Sequence, residues 1–255
     1  MILSDVFPHV NSHFSKIFKG FNLSIDITLF DWYIFNVVQL AFANFKLIYG
    51  TASSFFIKLG ICFKGEVFML ERYLVDQCSP TLAGIKTGSL FSIHGEDPER
   101  VLHEVQRVNR IFYGKGLLLL PLKTTYGYSL LYLYRPCYLK RDLGDRKCSS
   151  LLKELGYTSS HPSRCLVRLI QRVRKEPSFP HEIGLFLGYP PEDVRGFIEN
   201  PHCKSRCRSC VGGCWKVYHE PEKAQVLFKK YEQCTKSYRK RLNSGASLEQ
   251  LAVAS

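Results

Sequence analysis

The sequence predicts an α+β fold, in which several helices flank a small, mostly antiparallel sheet. Two runs rich in Leu and Tyr, 116–124 and 128–134, lie on either side of Thr125-Tyr126-Gly127. Apolar runs separated by a short turn that contains Gly are typical of a β-hairpin. Helical patterns precede and follow this hairpin, and helices around a small antiparallel sheet define the α+β class.

The segment before the hairpin contains two helices and one strand. We expect a short amphipathic helix over 69–78, which Pro80 ends, and then a strand over 89–94. Asp97 is a suitable N-cap for the next helix because Pro follows it directly. The apolar stripe of that helix ends near Gly114, which is a suitable residue for a helix C-terminus.

The segment after the hairpin is mostly helical. We expect one helix that ends at Gly156, a helix that is basic on one side, a short extended piece, a long helix and a last short helix. These elements cover 138–155, 164–175, 215–218, 220–242 and 247–253.

Residues 1–68 differ from the rest of the chain in composition. They are rich in aromatic residues and show no lasting helix or strand pattern. Lys64-Gly65-Glu66 can be encoded by a ribosome-binding sequence, and Met69 follows shortly after it. We therefore interpret 1–68 as a translated, non-native upstream extension or a disordered segment, and 69–255 as a single α+β domain.

We expect no membrane span in this chain. The longest uncharged run of the first segment, Trp32–Phe45, has fourteen residues and includes three amide side chains. A membrane-spanning helix needs about 20 mostly apolar residues. The alternative interpretation of 1–68 is a real extension with a weak affinity for membranes.

Four sequence blocks make the domain resemble a known bacterial family. The blocks are CSPTLAGIKTGSLF, FPHEIGLFLGYPPEDVRGFIEN, CWKVYHEPEKA and KYEQCTKSYRKRL, at 78–91, 179–200, 214–224 and 230–242. They resemble an uncharacterised family known as domain of unknown function 3793. The resemblance runs from about Met69 to the C-terminus and implies no activity, cofactor or substrate.

A cysteine-rich loop at 200–215 is the strongest candidate for chemistry. Its cysteines are Cys203, Cys207, Cys210 and Cys214, with the spacing Cys-x3-Cys-x2-Cys-x3-Cys. Four thiolates at such short spacing are suited to a tetrahedral zinc ion or to an iron–sulfur cluster. The alternative is four reduced thiols without a metal. Cys-x3-Cys-x2-Cys is also a radical S-adenosylmethionine signature, but too little chain follows it to build the barrel of those enzymes.

A second candidate is a helix–turn–helix-like segment at 182–198. Gly184 allows two helices to approach, Gly188 supplies the turn, and Val194 packs the second helix back onto the first. The expected exposed positions of that helix, Glu192, Asp193 and Glu199, are acidic, so a packed helical hairpin is the simpler interpretation. Under the alternative, nucleic acid would contact the basic residues Arg195, Arg168 and Arg172.

A thiol-dependent enzyme is a third hypothesis. Cys78 would be the nucleophile, Lys86 would stabilise charge, and His181 would act as a base. The spacing of these residues gives no reason to expect them together. Cys78 is more often a small buried residue, and Lys86 more often a surface charge.

Charge and cysteine content limit the choice of partner and compartment. The formal net charge is +13, which favours nucleic acid or an acidic protein as a partner. Ten cysteines without a disulfide-like context indicate metal binding or free thiols, and we expect a cytoplasmic protein. Our leading hypothesis is an accessory role in metal or redox handling through the cysteine loop. The alternative is a nucleic-acid-binding regulator.

Overall fold

The computed structural model of the protein describes residues 70–159, 161–200 and 215–254. All of these residues belong to one compact unit. Our expectations for residues 1–68 and for the four cysteines of the cysteine-rich loop therefore lie outside the described residues.

The described part of the chain forms twelve helices and strands, which we number in chain order. These are α1 Leu70–Leu82, β1 Gly88–His94, α2 Pro98–Phe112, β2 Leu118–Thr125, β3 Tyr128–Tyr134, α3 Pro136–Gly144, α4 Arg146–Glu154, α5 Pro162–Lys175, α6 Ile183–Phe186, α7 Pro191–Glu199, α8 Pro221–Asn243 and α9 Leu248–Leu251.

The three strands form one antiparallel sheet in the order β1-β3-β2, which confirms both the hairpin and the α+β class. The strand β3 is central, with Leu131 opposite Phe91 of β1 and opposite Pro121 of β2. Proline has no backbone N–H, so within a sheet it is suited to an edge strand such as β2. The register of β2 shifts between Pro121 and Lys123, so Leu122 forms a bulge.

Helices cover both faces of this sheet, so two cores share the strand β3. Because side chains alternate along a strand, Leu131 and Leu133 join a core with α1, α2, α8 and α9. On the opposite face, Leu130, Tyr132 and Tyr134 join a second core with α3 to α7. Each large apolar side chain that is fully buried contributes about 1.5–3 kcal/mol to folding.

The helix α1 is longer than the sequence indicated, because Pro80 lies inside it rather than ending it. Proline removes one backbone hydrogen bond and crowds the preceding turn, so it is tolerated best near a helix end. Here Pro80 is followed by only two helical residues, and the Ser79 hydroxyl donates to the carbonyl of Val75. The expectation that the helix stops before Pro80 was wrong for this reason.

The single helix expected over 138–155 is in fact two helices, α3 and α4, which Asp145 separates. Asp145 adopts an extended backbone and caps α4 with its side chain. Its Oδ1 accepts from the backbone N–H groups of Lys147 and Cys148, at 2.9 and 3.1 Å. An aspartate that bonds the backbone in this way favours a new helix start over helix continuation.

Among the helices of the described residues, none combines the length and the apolar character that crossing a membrane requires.

Candidate functional site

An open cleft of about 390 Å³ lies where the α1–β1 connection meets the helices α3 and α4 and the turn between α6 and α7. Binding sites for small molecules commonly occupy about 300–1,000 Å³. Charged and aromatic side chains dominate its lining, which includes Lys86, Thr87, Tyr138, Arg141, Tyr189 and Tyr231. We refer to this site as the cleft.

A buried tyrosine fixes one wall of the cleft to the sheet. The hydroxyl of Tyr132, in the central strand, donates to the carbonyl of Phe186 at the end of α6. A Cβ at Gly88 would lie 2.6 Å from the Tyr132 ring, so only glycine at this position leaves room for the ring. The turn that carries Tyr189 therefore has a fixed position relative to the sheet.

Two cations of the cleft lie against tyrosine rings. The Nζ of Lys86 is 5.2 Å from the centroid of the Tyr189 ring and 6.0 Å from that of Tyr231. The guanidinium carbon of Arg141 is 5.0 Å from the centroid of the Tyr138 ring. Contacts of this kind contribute about 0.5–1 kcal/mol each at exposed sites. They hold the two cations at the walls of the cleft.

Two carboxylates also line the cleft, and donors of the protein engage both. Asp142 accepts from the Thr87 hydroxyl through Oδ2 and from Arg141 through Oδ1, the latter at 2.8 Å. Asp145 uses Oδ1 for the backbone N–H groups of the α4 cap. Its Oδ2 has no hydrogen-bond partner among the described residues and lies at an exposed position. The lining therefore presents both signs of charge.

A fully buried arginine lies directly beneath the cleft. Arg135 is 0% exposed, and its guanidinium donates to the carbonyls of Thr81, Leu82 and Val253, each at 2.8 Å. Its Nη1 has no partner within the described residues. The guanidinium carbon lies 3.6 Å from the point where a Cβ of Gly84 would stand, and Gly84 lines the cleft.

The charge of Arg135 has no carboxylate partner among the residues that the structure describes, since every acceptor it reaches is a backbone carbonyl. Burial lowers the pKa of Arg135 from its ordinary value. An arginine stays protonated even so, because its ordinary pKa lies above 12. The floor of the cleft thus carries a positive charge that the described protein does not neutralise.

Aromatic packing supports the Tyr189 wall from behind. The Trp215 ring stacks on Tyr189 with centroids 4.4 Å apart, and Phe228 meets Trp215 edge-on at 4.6 Å. These rings belong to a third, smaller core at the start of α8. The tryptophan therefore lies one ring away from the cleft.

A buried aspartate holds the segment that carries Trp215. Asp193 accepts from Trp215 Nε1 at 2.7 Å and from the backbone N–H groups of Tyr218 and His219 at 2.7 and 2.8 Å. The Tyr218 hydroxyl in turn donates to the carbonyl of Asn200, at 3.0 Å. The chain before and after residues 201–214 is thereby joined at one point.

The helix–turn–helix-like segment forms two packed helices, α6 and α7. A Cβ at Gly184 would lie 2.8 Å from Val194 Cγ2, so the small residue permits the close approach that the sequence predicts. Gly188 has a φ of +77°, as its role in the turn requires. Asp193, expected at the exposed side of α7, is instead 2% exposed. Glu192 pairs with Lys147 of α4, so this face of α7 packs against the domain.

The three arginines assigned to nucleic acid have different surroundings. Arg195 forms ion pairs with Glu154 at 2.8 Å and with Glu199 at 3.5 Å. Arg172 pairs with the buried Glu182 at 3.0 Å, so its side chain is committed to the interior. Arg168 lies at an exposed position of α5. The structure does not bring the three onto one helix, and nucleic-acid binding stays a prediction.

Of the three residues in the thiol hypothesis, Lys86 acts electrostatically on Cys78, whereas His181 packs against another residue. Cys78 is fully buried, and burial raises its pKa to about 12. His181 meets the Phe197 ring edge-on at 4.8 Å, while Lys86 lines the cleft. A second thiol, Cys148, reaches the cleft, and burial raises its pKa to about 12 as well. Neither thiol is a good nucleophile at neutral pH, because the thiolate is the reactive form.

Across residues 70–159, 161–200 and 215–254, no three His, Cys, Asp or Glu side chains come together as a metal site would need. The predicted ligands Cys203, Cys207, Cys210 and Cys214 lie outside these ranges. The zinc or iron–sulfur site therefore stays a prediction.

Sequence reasoning missed the cleft, although a signal for it was present. Three of the four blocks that carry the family resemblance line it. Lys86 comes from the first block, Tyr189 from the second and Tyr231 from the fourth, while the third supplies Trp215 behind Tyr189.

Comparison with known proteins gives one match. The model of a family described as a protein of unknown function (DUF3793) matches residues 74–252. Neither a curated protein nor a solved structure matches the chain.

Proposed function

The chain belongs to the DUF3793 family, and we propose that it is a binding protein for a small organic anion, which it holds in the cleft. The observation that carries this proposal is the buried charge of Arg135 directly beneath Gly84. Taking an ion out of water costs several kcal/mol, which hydrogen bonds to carbonyls and a counter-charge both offset. An anion in the cleft would supply that counter-charge.

The other cations of the cleft support the same ligand charge. Lys86 and Arg141 stand at the walls above Arg135, and both have side chains long enough to turn towards a ligand. Coulomb attraction strengthens where low-dielectric walls exclude water, so the three cations attract an anion, while Asp142 and Asp145 in the same lining offset part of this attraction. The positive formal charge of the whole chain, +13, also favours the approach of anions.

The rings of the cleft support an organic ligand over a bare inorganic ion. Tyr138, Tyr189 and Tyr231 offer aromatic surface, and Pro190 and Pro191 add apolar surface beside them. Sites that combine mostly apolar walls with a few polar groups bind ligands that have both characters. A planar group with an attached anionic group satisfies this lining.

The test is a titration of the full chain with a panel of anions. Binding is measured by calorimetry and by the change in the midpoint of thermal unfolding. The panel contains inorganic phosphate, 4-hydroxybenzoate, ribose 5-phosphate and adenosine 5′-monophosphate. We expect at least one organic anion to bind and to raise the midpoint by mass action. Replacing Lys86 or Arg141 with Ala should weaken binding about tenfold, which is about 1.4 kcal/mol.

Lys140→Ala is the matched control for Arg141→Ala. Lys140 is the preceding residue of the same helix and is exposed, but it does not line the cleft. The Lys140→Ala variant should bind the same anions as the wild type. Absence of binding by every anion, or equal losses in Lys140→Ala and Arg141→Ala, would contradict the proposal.

A second candidate function is the metal or redox role of the cysteine-rich loop. The observation that favours it is the junction at Asp193 and Tyr218, which holds the chain at both ends of residues 201–214. A metal site gains affinity when its ligands start close together, because less chain entropy is lost on binding. We propose that Cys203, Cys207, Cys210 and Cys214 hold one zinc ion or iron–sulfur cluster.

Metal analysis and an absorption spectrum of protein purified without oxygen test this second candidate. Cys207→Ser or Cys210→Ser should release the metal and lower the thermal midpoint. Cys137→Ser is the appropriate control because Cys137 is an exposed free thiol, whereas Cys165 is buried and its replacement would disturb the core. Metal-free protein with four freely reactive thiols at these positions would refute the candidate.

A further inference from the structure

The helix α5 has an outer face that carries basic residues without any acidic residue. Its sequence, PSRCLVRLIQRVRK, contains five basic residues and neither an acidic nor an aromatic one. We propose that the exposed face of α5 binds the phosphate backbone of duplex DNA. This surface is separate from the cleft, because no residue of α5 lines the cleft. The inference therefore stands independently of the proposed function.

Two of the five basic residues fix α5 to the rest of the domain. Arg172 pairs with the buried Glu182 at 3.0 Å, and its guanidinium also donates to the carbonyl of Leu155 at 3.1 Å. The Nε of Arg174 donates to the carbonyl of Leu122 in β2, at 2.8 Å. Apolar residues of the same helix join the second core. These contacts fix the position of the outer face of α5.

The other three basic residues form a stripe along that outer face. Arg164, Arg168 and Lys175 are exposed, and they form no ion pair or side-chain hydrogen bond with the described residues. They stand at i, i+4 and i+11, which places them on one face of an α-helix, and Gln171 lies on the same face at i+7. We refer to these four residues as the basic stripe. Its length along the helix axis is about 16 Å.

The other strongly basic helix, α8, differs because carboxylates accompany its cations. Lys236 pairs with Glu232 of the same helix at 2.6 Å, and Arg239 pairs with Asp76 of α1. A carboxylate repels a phosphate, so the exposed face of α8 should attract DNA less than the basic stripe does. The distribution of charge therefore favours α5 as the contact surface.

The side chains of the basic stripe are suited to a DNA duplex. A duplex carries about one negative charge for every 1.7 Å of its axis, so a stripe of about 16 Å faces roughly nine phosphates. Guanidinium groups bind phosphate oxygens through two parallel N–H groups, and amide side chains such as that of Gln171 also contact phosphates. Sites for single strands stack bases on aromatic side chains, and α5 contains none.

Two other polyanions fit the basic stripe less well. A helix that binds at a membrane surface turns its apolar face into the lipid. In α5 the residues Leu166, Leu169 and Val173 are buried within the domain, and Val167 is the one exposed apolar residue of the helix. For duplex RNA, the major groove is too narrow to admit an α-helix, whereas the major groove of B-DNA admits one.

The test is the fluorescence anisotropy of a labelled DNA duplex of mixed sequence, titrated with the full chain between about 50 and 200 mM salt. The variant Arg164→Ala, Arg168→Ala, Lys175→Ala removes the three cations. Each phosphate contact contributes about 0.9 to the slope of log K against log salt, so we expect the slope to shrink by about 2.7. Alanine is a good helix former and the three side chains are exposed, so the variant should stay folded, as circular dichroism can verify.

The matched control is Lys229→Ala, Lys230→Ala, Lys240→Ala, at three exposed positions of α8. It lowers the formal net charge of +13 by the same amount and leaves α5 unchanged, so its slope should differ from the wild-type slope by less than one. Equal slope changes in the two variants would overturn the inference, because net charge rather than α5 would then determine binding. Absence of duplex binding at about 50 mM salt would also overturn it. So would tighter binding to single-stranded DNA, to an RNA duplex or to vesicles of phosphatidylserine than to the DNA duplex.

Discussion

Two buried charges in the same domain differ in whether an opposite charge neutralises them. Glu182 is 2% exposed and has a full set of partners, since Arg172 pairs with it at 3.0 Å and the Tyr157 hydroxyl donates to it at 2.8 Å. Arg135 is 0% exposed, donates to three backbone carbonyls and lies 5.7 Å from the centroid of the Tyr138 ring. The first charge is neutralised within the protein, whereas the second is not neutralised by any described carboxylate.

Under the proposed function, the difference separates a structural charge, Glu182, from a ligand-binding one, Arg135. Glu182 joins α6 to α5 and to Tyr157, and it is not among the residues that line the cleft. Arg135 joins the end of α1 to the C-terminal residues and lies beneath an open cavity. A buried charge without a counter-ion lowers the stability of the fold unless a ligand or hydrogen bonds to the backbone compensate it.

The largest effect should come from breaking the neutralised pair. Arg172→Met leaves Glu182 buried without its cation, so we expect a loss of about 3–5 kcal/mol in the free energy of unfolding. Urea unfolding followed by circular dichroism measures it. The double variant Arg172→Met, Glu182→Gln removes both charges and should lose less than the single variant. A single variant as stable as the wild type would show that this pair is not structural.

A smaller loss should follow when the unneutralised charge is removed. Arg135→Met leaves the carbonyl of Val253 without its side-chain donor, while Thr81 still accepts from the backbone N–H of Gly84 at 3.2 Å and Leu82 from that of Val253 at 3.1 Å. Unbonded buried carbonyls cost about 1–3 kcal/mol, but removing an uncompensated charge offsets part of this.

Two measurements on Arg135→Met sharpen the comparison. Its free energy of unfolding should fall less than that of Arg172→Met, and its affinity for organic anions should fall while that of Arg172→Met does not, provided that both variants are folded. Equal losses of stability together with unchanged anion binding would place Arg135 in the same structural class as Glu182.

The sequence predicted elements that depend on local rules. Asp97 caps α2 as expected, with its side chain accepting from the backbone N–H of Arg100 at 3.2 Å, and the helix ends before Gly114. The prediction was wrong at Pro80 and Asp145, where two local rules competed. A proline near the end of a helix can be accommodated, and an aspartate inside a helical pattern can start a new helix.

The cleft could not be predicted in the same way, because its residues are distant in sequence. Lys86 was singled out, but as a partner for Cys78 and His181 rather than for Tyr189 and Tyr231. Its neighbours are set by the packing of α6 and α8 around the α1–β1 connection, and no spacing rule reports such packing. The family resemblance included the segments that contain Lys86, Tyr189 and Tyr231, but it did not show that these segments meet.

The smallest effect on stability should come from the removal of an exposed charge whose ion pairs are also exposed. Arg195→Ala removes the ion pairs with Glu154 and Glu199, and exposed pairs contribute little because water screens them. We expect a thermal midpoint indistinguishable from that of the wild type. The variant therefore also tests nucleic-acid binding without a stability effect to confuse the result.

For Arg195 to contact a phosphate, it must leave two carboxylates, whereas Arg168 is exposed and forms no ion pair among the described residues. Fluorescence anisotropy with a labelled DNA duplex at low and high salt compares the two. If the basic helix α5 binds DNA, Arg168→Ala should reduce the salt slope by about one, and Arg195→Ala should leave it nearly unchanged. The helix–turn–helix interpretation requires the reverse. A strong loss with Arg195→Ala and none with Arg168→Ala would establish that α7 contacts the duplex despite its acidic surroundings.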